Sequence, residues 1–147
     1  MTNLISEAIV EPSTIKERYL RQAISVALGS PSEFKVGAIL IAKKKVISSS
    51  CNYDRKTHPI QRKWAAKAER SYGDDLGKKT FLHAEIGALI KARREADTIV
   101  ICRVGGLSGR ELLNARPCRI CSGFLIESGV FNIHYSTRGG FVYERWG

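Results

Sequence analysis

An α/β fold, a three-layer α/β/α sandwich on a five-stranded mixed sheet, is what three features of this sequence predict. The apolar run Val36-Gly37-Ala38-Ile39-Leu40-Ile41 and the segment Val46 to Cys51 are both of strand length, joined by the polar reversal Ala42-Lys43-Lys44-Lys45. Segments of helical periodicity stand on both sides of these runs, so both faces of a sheet can be covered. At the end of the chain only Thr137-Arg138-Gly139-Gly140 separates the last two strands. A link that short makes them antiparallel, because a parallel crossover takes about a dozen residues or more.

The elements follow in order. Thr14 to Leu28 is an amphipathic helix with Ile15, Tyr19, Ile24 and Ala27 near helical spacing, Ser13 or Thr14 as its cap, and Gly29-Ser30-Pro31-Ser32 as its stop. After the two strands the pattern weakens from Asn52 to Leu82. Within it His58-Pro59 is a turn, Gln61 to Tyr72 is helical, and Gly73 to Gly77 breaks the helix. His83 to Glu95 is a helix with Ile86, Leu89 and Ile90 on its apolar face, and Lys91, Arg93 and Arg94 suit the negative end of its dipole. Thr98 to Val104 is a buried strand, and Arg110 to Ala115 a short turn of helix. Pro117 opens a helix from Cys118 to Ser128 closed by Gly129. Phe131 to Ser136 and Phe141 to Glu144 are the last strands.

Composition narrows the partners. The chain of 147 residues and 16.3 kDa suits one domain, residues 1–147, with a core of ordinary size. No apolar run approaches the roughly 18 to 20 residues that span a bilayer, and Met1 to Pro12 lacks the pattern of a signal peptide, so a cytoplasmic protein is expected. The 24 Lys and Arg against 14 Asp and Glu give a net charge of +10, which favours anionic partners such as nucleotides or nucleic acid. Cys51 and Cys102 fall in strands and read as buried free thiols.

The chemistry lies in His83-Ala84-Glu85 and Pro117-Cys118-Arg119-Ile120-Cys121. One imidazole and two thiols make a three-ligand zinc set, and three protein ligands leave a fourth position open, as catalytic sites do. Each ligand group falls in the first turn of a helix. Positive helix ends favour thiolates, which are what zinc binds. Glu85, two residues after the histidine, is then placed to move protons between a water and a substrate. Against this stand a structural zinc knuckle and a redox Cys-x-x-Cys beside an unrelated histidine.

With His-x-Glu and Pro-Cys-x-x-Cys together, the chain resembles the cytidine/deoxycytidylate deaminase superfamily of zinc-dependent nucleobase deaminases. The likeness runs from about Thr14 to Tyr143. It implies a cytidine-deaminase-like fold in which His83, Cys118 and Cys121 hold Zn2+ and Glu85 is the catalytic acid and base. It further implies that Asn52 contacts the sugar, that the backbone amide of Ala84 helps hold the base, that Ala38 lines the pocket floor, and that the protein is a homo-oligomer. Arg116 departs from the Ser, Thr or Glu common before Pro-Cys and is a candidate phosphate contact. So is the long basic stretch with Arg55, Lys56, His58, Arg62, Lys63, Trp64, Lys67 and Arg70, which could cover the site.

Three functions remain open at this point. The first is hydrolytic deamination of a cytosine nucleotide or nucleoside, with deoxycytidylate the first substrate to try. The second is deamination of a base in single-stranded DNA or RNA, favoured by the charge. A non-catalytic nucleic-acid-binding domain that uses zinc for folding is the third. The basic stretch points to phosphorylated substrates, whereas the short final hairpin is more like the free-cytidine branch.

Overall fold

The computed structural model describes residues 8–73 and 75–147; what was expected of Met1 to Glu7, and of Asp74 in the Gly73 to Gly77 break, lies outside the described residues. In chain order the elements are β1 (Glu11–Pro12), α1 (Glu17–Leu28), β2 (Lys35–Ala42), β3 (Lys45–Cys51), α2 (Pro59–Tyr72), α3 (Ala84–Lys91), β4 (Thr98–Gly105), β5 (Glu111–Leu113), α4 (Arg119–Glu127), β6 (Asn132–Thr137) and β7 (Gly140–Arg145). The strands form one mixed sheet in the order β1-β7-β6-β4-β2-β3, with β5 paired to β4. The five expected strands are β2, β3, β4, β6 and β7. The sheet has seven because two short strands, β1 and β5, extend it.

Alternation along the central strands sends residues to two faces. Ile39, Ile41, Val100, Cys102 and Val104 meet Tyr19, Ala23 and Ala27 of α1. Ala38, Leu40, Ile99 and Ile101 turn the other way, to Ala84 and Ala88 of α3 and Leu125 of α4. Helix α2 packs against α4 and α3 through Trp64, Ala65 and Ala68, which meet Ile86, Ile120 and Cys121. Two glycines let helices approach closely. A Cβ on Gly37 would lie 2.3 Å from the backbone nitrogen of Ala27, and one on Gly87 would lie 2.3 Å from Oγ of Ser50.

The β2–β3 reversal is the expected hairpin, with Ala42 opposite Lys45 and both intervening lysines at positive φ, 49° at Lys43 and 65° at Lys44. Strands β4 and β6 are parallel, and β6 and β7 antiparallel, as the short final link requires.

Three local expectations are corrected. Helix α1 begins at Glu17 after Lys16, with no side-chain cap bond. Ser13 serves elsewhere: its backbone N–H donates to the carbonyl of Phe141, and its Oγ lies 2.8 Å from Nδ1 of His134, fixing β1 beside β7. Helix α3 ends at Lys91 rather than Glu95, because Ala92 turns extended and Ala96 must reach the core before β4 starts. Arg110 to Ala115 is no helical turn: Glu111–Leu113 pairs antiparallel with Arg103–Gly105 as β5.

Candidate active site

Two helix starts meet at the end of the sheet where β2 begins and β3 and β4 finish. His83 occupies the N-cap position of α3 and Cys118 that of α4, both in extended conformation and neither making a side-chain cap bond. Their side chains turn toward each other instead. Nδ1 of His83 lies 3.2 Å from Sγ of Cys121 and 3.5 Å from Sγ of Cys118. The three ligand atoms all fall within 4.8 Å of one another. Sequence reading missed what holds His83: Gln61 of α2, fully buried, accepts from the His83 backbone N–H at 3.1 Å and donates to the Lys79 carbonyl at 3.3 Å.

The cluster sets its own electrostatics. The Cys118 thiol is held down to about 4, first by the hydrogen bond from Cys121 and then, against the opposing effect of burial, by His83. Burial, reinforced by the Cys118 thiolate, keeps Cys121 well above the usual thiol range. His83 is pulled down by burial, but hydrogen bonding and charge from Cys118 more than offset this and its net shift is upward. Glu85, only 6% exposed in the first turn of α3, is pushed up by burial and further by Cys118. A carboxyl with a raised pKa can both take and return a proton near neutral pH.

These groups open into a cleft of about 460 Å³. Asn52, Ala84 and Arg116 are on its wall with His83, Glu85 and Cys118. The Asn52 amide is engaged with the wall itself: its oxygen accepts from Oγ of Ser30 at 2.7 Å and from the Val36 N–H at 3.0 Å, and its nitrogen donates to the Phe34 carbonyl. Arg116 makes a two-pronged bond to Glu144, through Nε at 2.7 Å and Nη2 at 2.9 Å.

Two expected contacts lie elsewhere. Ala38 is fully buried in the core with Ala84, beneath the cleft wall, because its position in β2 points it at α3. His58 is the N-cap of α2, where its Nδ1 accepts from the Ile60 N–H at 3.1 Å. The basic stretch does not cover the site either. Trp64 stacks on Phe124 with ring centres 5.4 Å apart, and Lys67 lies over Trp64 and pairs with Glu127. From residues 53–82 the cleft takes Lys79, which sequence reading did not single out, and it takes Arg103 from β4.

The model of the cytidine and deoxycytidylate deaminase zinc-binding region matches residues 13–137. The chain belongs to this family. Comparison with curated proteins gives no match. Among solved structures, the apo form of a dCMP deaminase from the cyanophage S-TIM5 superposes with a TM-score of 0.52 at 21% identity, covering 81% of this chain and 79% of that one. That likeness concerns the fold. The deaminase family and the donor set agree on the cofactor: one imidazole nitrogen and two sulfurs, one already inclined to the thiolate, make this a zinc site. No helix among the described residues is long and apolar enough to cross a membrane.

Proposed function

We propose that this chain, acting as one deaminase domain, hydrolyses the exocyclic amine of a cytosine nucleotide, with dCMP the first substrate to try. The products are the uracil nucleotide and ammonia. The observation that carries this reading is Glu85, buried on the wall of a cleft it shares with His83 and Cys118.

His83, Cys118 and Cys121 would hold the zinc, which when bound brings the pKa of a water near 7. Glu85 takes a proton from that water, whose oxygen bonds to C4 of the ring. Glu85 gives that proton to the ring nitrogen, then takes the proton of the new C4 hydroxyl and gives it to the amine, so that the C4 carbonyl forms as the C–N bond breaks and ammonia leaves. The backbone amide of Ala84, at the start of α3, is the proposed contact to the base. Asn52 supports the sugar end through the Ser30–Val36 wall that it ties together.

The charge of the mouth supports a phosphorylated substrate. Lys79 and Arg103 line the cleft, and among the described residues neither is in an ion pair. Arg116, also on the wall, has Glu144 as its counter-ion. Lys79 and Arg103 are therefore the cations available to a phosphate.

A substrate panel of dCMP, dCTP, cytidine and deoxycytidine, followed by ammonia release from zinc-loaded protein, tests this. Turnover is expected to be fastest with a nucleotide, and silence on all four with zinc bound would sink the proposal. Glu85→Gln should keep zinc and fold while losing about two to four orders of magnitude in kcat.

A second reading, a base in a single strand, is favoured by Phe34. This ring is 62% exposed at the cleft and has the Arg103 guanidinium 5.5 Å from its centre, a surface on which a flanking base could stack. Binding of a short oligonucleotide that falls steeply with salt would favour this reading over the first.

A further inference from the structure

Glu144 has no exposed surface, and its carboxylate accepts from four donors. These are Nε of Arg116 at 2.7 Å, Nη2 of Arg116 at 2.9 Å, the Tyr135 hydroxyl, and the Trp146 indole N–H at 3.4 Å. A carboxylate removed from water is tolerated only when so paired, and the two-pronged bond to arginine fixes direction as well as distance. Burial alone would raise the Glu144 pKa, yet Arg116 and Tyr135 bring it below the ordinary carboxylate range.

The place where this grip acts is specific. Arg116 is followed by Pro117, whose φ is fixed by its ring, and then by Cys118 at the N-cap of α4. The segment just before is tied down as well: the Ala115 N–H donates to the Ser136 carbonyl at 2.9 Å, and the Arg116 N–H to Oδ1 of Asn114 at 2.9 Å. Glu144 thus anchors, from the last strand of the sheet, the chain that delivers Cys118. Gln61 has the matching place for the other ligand segment, where it holds the backbone of His83.

We propose that Glu144 is a positioning residue for the metal site, acting through Arg116 to hold the Cys118 thiol in place against His83 and Cys121. The proposal rests on the zinc reading of that cluster. It makes the C-terminal hairpin part of the site, although no residue of β7 lines the cleft. It also gives Arg116 a task other than binding phosphate.

Cobalt(II), whose visible absorption reports the geometry of thiolate ligation, is the probe. Glu144→Gln, which keeps the volume and one acceptor, should weaken cobalt binding about tenfold and shift the bands, as loss of an outer support typically does. Arg116→Lys, which keeps the charge and loses the fork, should move both readouts in the same direction. Ser13→Ala, which cuts the bond to His134 of β6 beside the β1 edge of the sheet, should leave affinity and bands unchanged even where it lowers Tm. If Glu144→Gln fails to fold, Arg116→Lys decides alone. Wild-type affinity and bands in the folded variants, whatever their Tm, would overturn the proposal. A wild-type protein that binds no cobalt would overturn the zinc reading beneath it.

Discussion

On one side of the sheet Ile39, Ile41, Val100 and Cys102 meet the flank of α1; on the other, Ala38, Leu40, Ile99 and Ile101 meet α3 and α4, whose first turns carry the cluster. The same strands supply both faces. What differs is how the helices present themselves. Helix α1 offers its side, packed on the sheet and tied to the β2–β3 turn through Tyr19, whereas α3 and α4 bring their N-termini together, with backbone N–H groups that have no partner within the helix and partial positive charge at one place. Two cysteines record the contrast. Burial beside α1 pushes Cys102 up to about 11, while Cys121 and His83 bring Cys118 down to about 4.

Alkylation of the metal-free protein at pH 6 is the sharpest way to break that contrast. Cys118, ionised above about 4, is almost wholly thiolate there, and Cys102, ionised only above about 11, has about one part in 10⁵. A thiolate of low pKa is intrinsically less nucleophilic, by about 10³ across this gap, so a net preference of about a hundredfold for Cys118 is expected. Mass spectrometry of iodoacetamide-treated protein measures it, and added zinc should abolish the Cys118 reaction. Equal rates at the two thiols would mean that the helix starts and His83 do not tune Cys118 at all.

The residues that ligate were legible because their pattern is local: His83 and Glu85 are two apart, and Cys118 and Cys121 sit one helical turn apart. The supports were not. Gln61 reaches His83 and Glu144 reaches Arg116 across 22 and 28 positions of chain, and nothing local in the sequence links either pair. The strands were legible from apolar runs, and the final antiparallel pair from the length of its link. β5 was not, because Glu111-Leu112-Leu113 are good helix formers, and only the hydrogen bonds offered by Arg103–Gly105 make them a strand. In sequence, His58 and Trp64 belong to the basic stretch that could cover the site. His58 is used as a helix cap and Trp64 as packing between α2 and α4, roles that depend on where the helix lies.

A medium effect is expected from Gly37→Ala, which strains the α1 side alone. The added methyl would sit 2.3 Å from the Ala27 nitrogen and 2.8 Å from its Cα, backbone atoms that cannot rotate away, so α1 must shift. Overpacking of this kind costs about 2 kcal/mol. The denaturation midpoint should fall accordingly, while the cobalt spectrum stays that of the wild type. A changed spectrum would show that the two faces are mechanically coupled through β2 rather than independent.

The smallest effect is a gain, at the end of the sheet away from the cleft. Lys43 and Lys44 both sit at positive φ, where a side chain crowds its own backbone at about 1 to 2 kcal/mol per residue and where Asn-Gly is the favoured pair. Lys43→Asn with Lys44→Gly should therefore raise stability by about 1 kcal/mol, read as a Tm higher by a few degrees. The turn's tie to α1 survives the change, because Tyr19 donates its hydroxyl proton to the backbone carbonyl of Lys44 rather than to its side chain. Turnover should be unaffected, since the reversal lies at the far end of β2 from Val36 and the cleft. A loss of stability instead would mean that the lysine side chains, not the backbone geometry, hold the reversal against α1, and that the packing face depends on more than apolar contact.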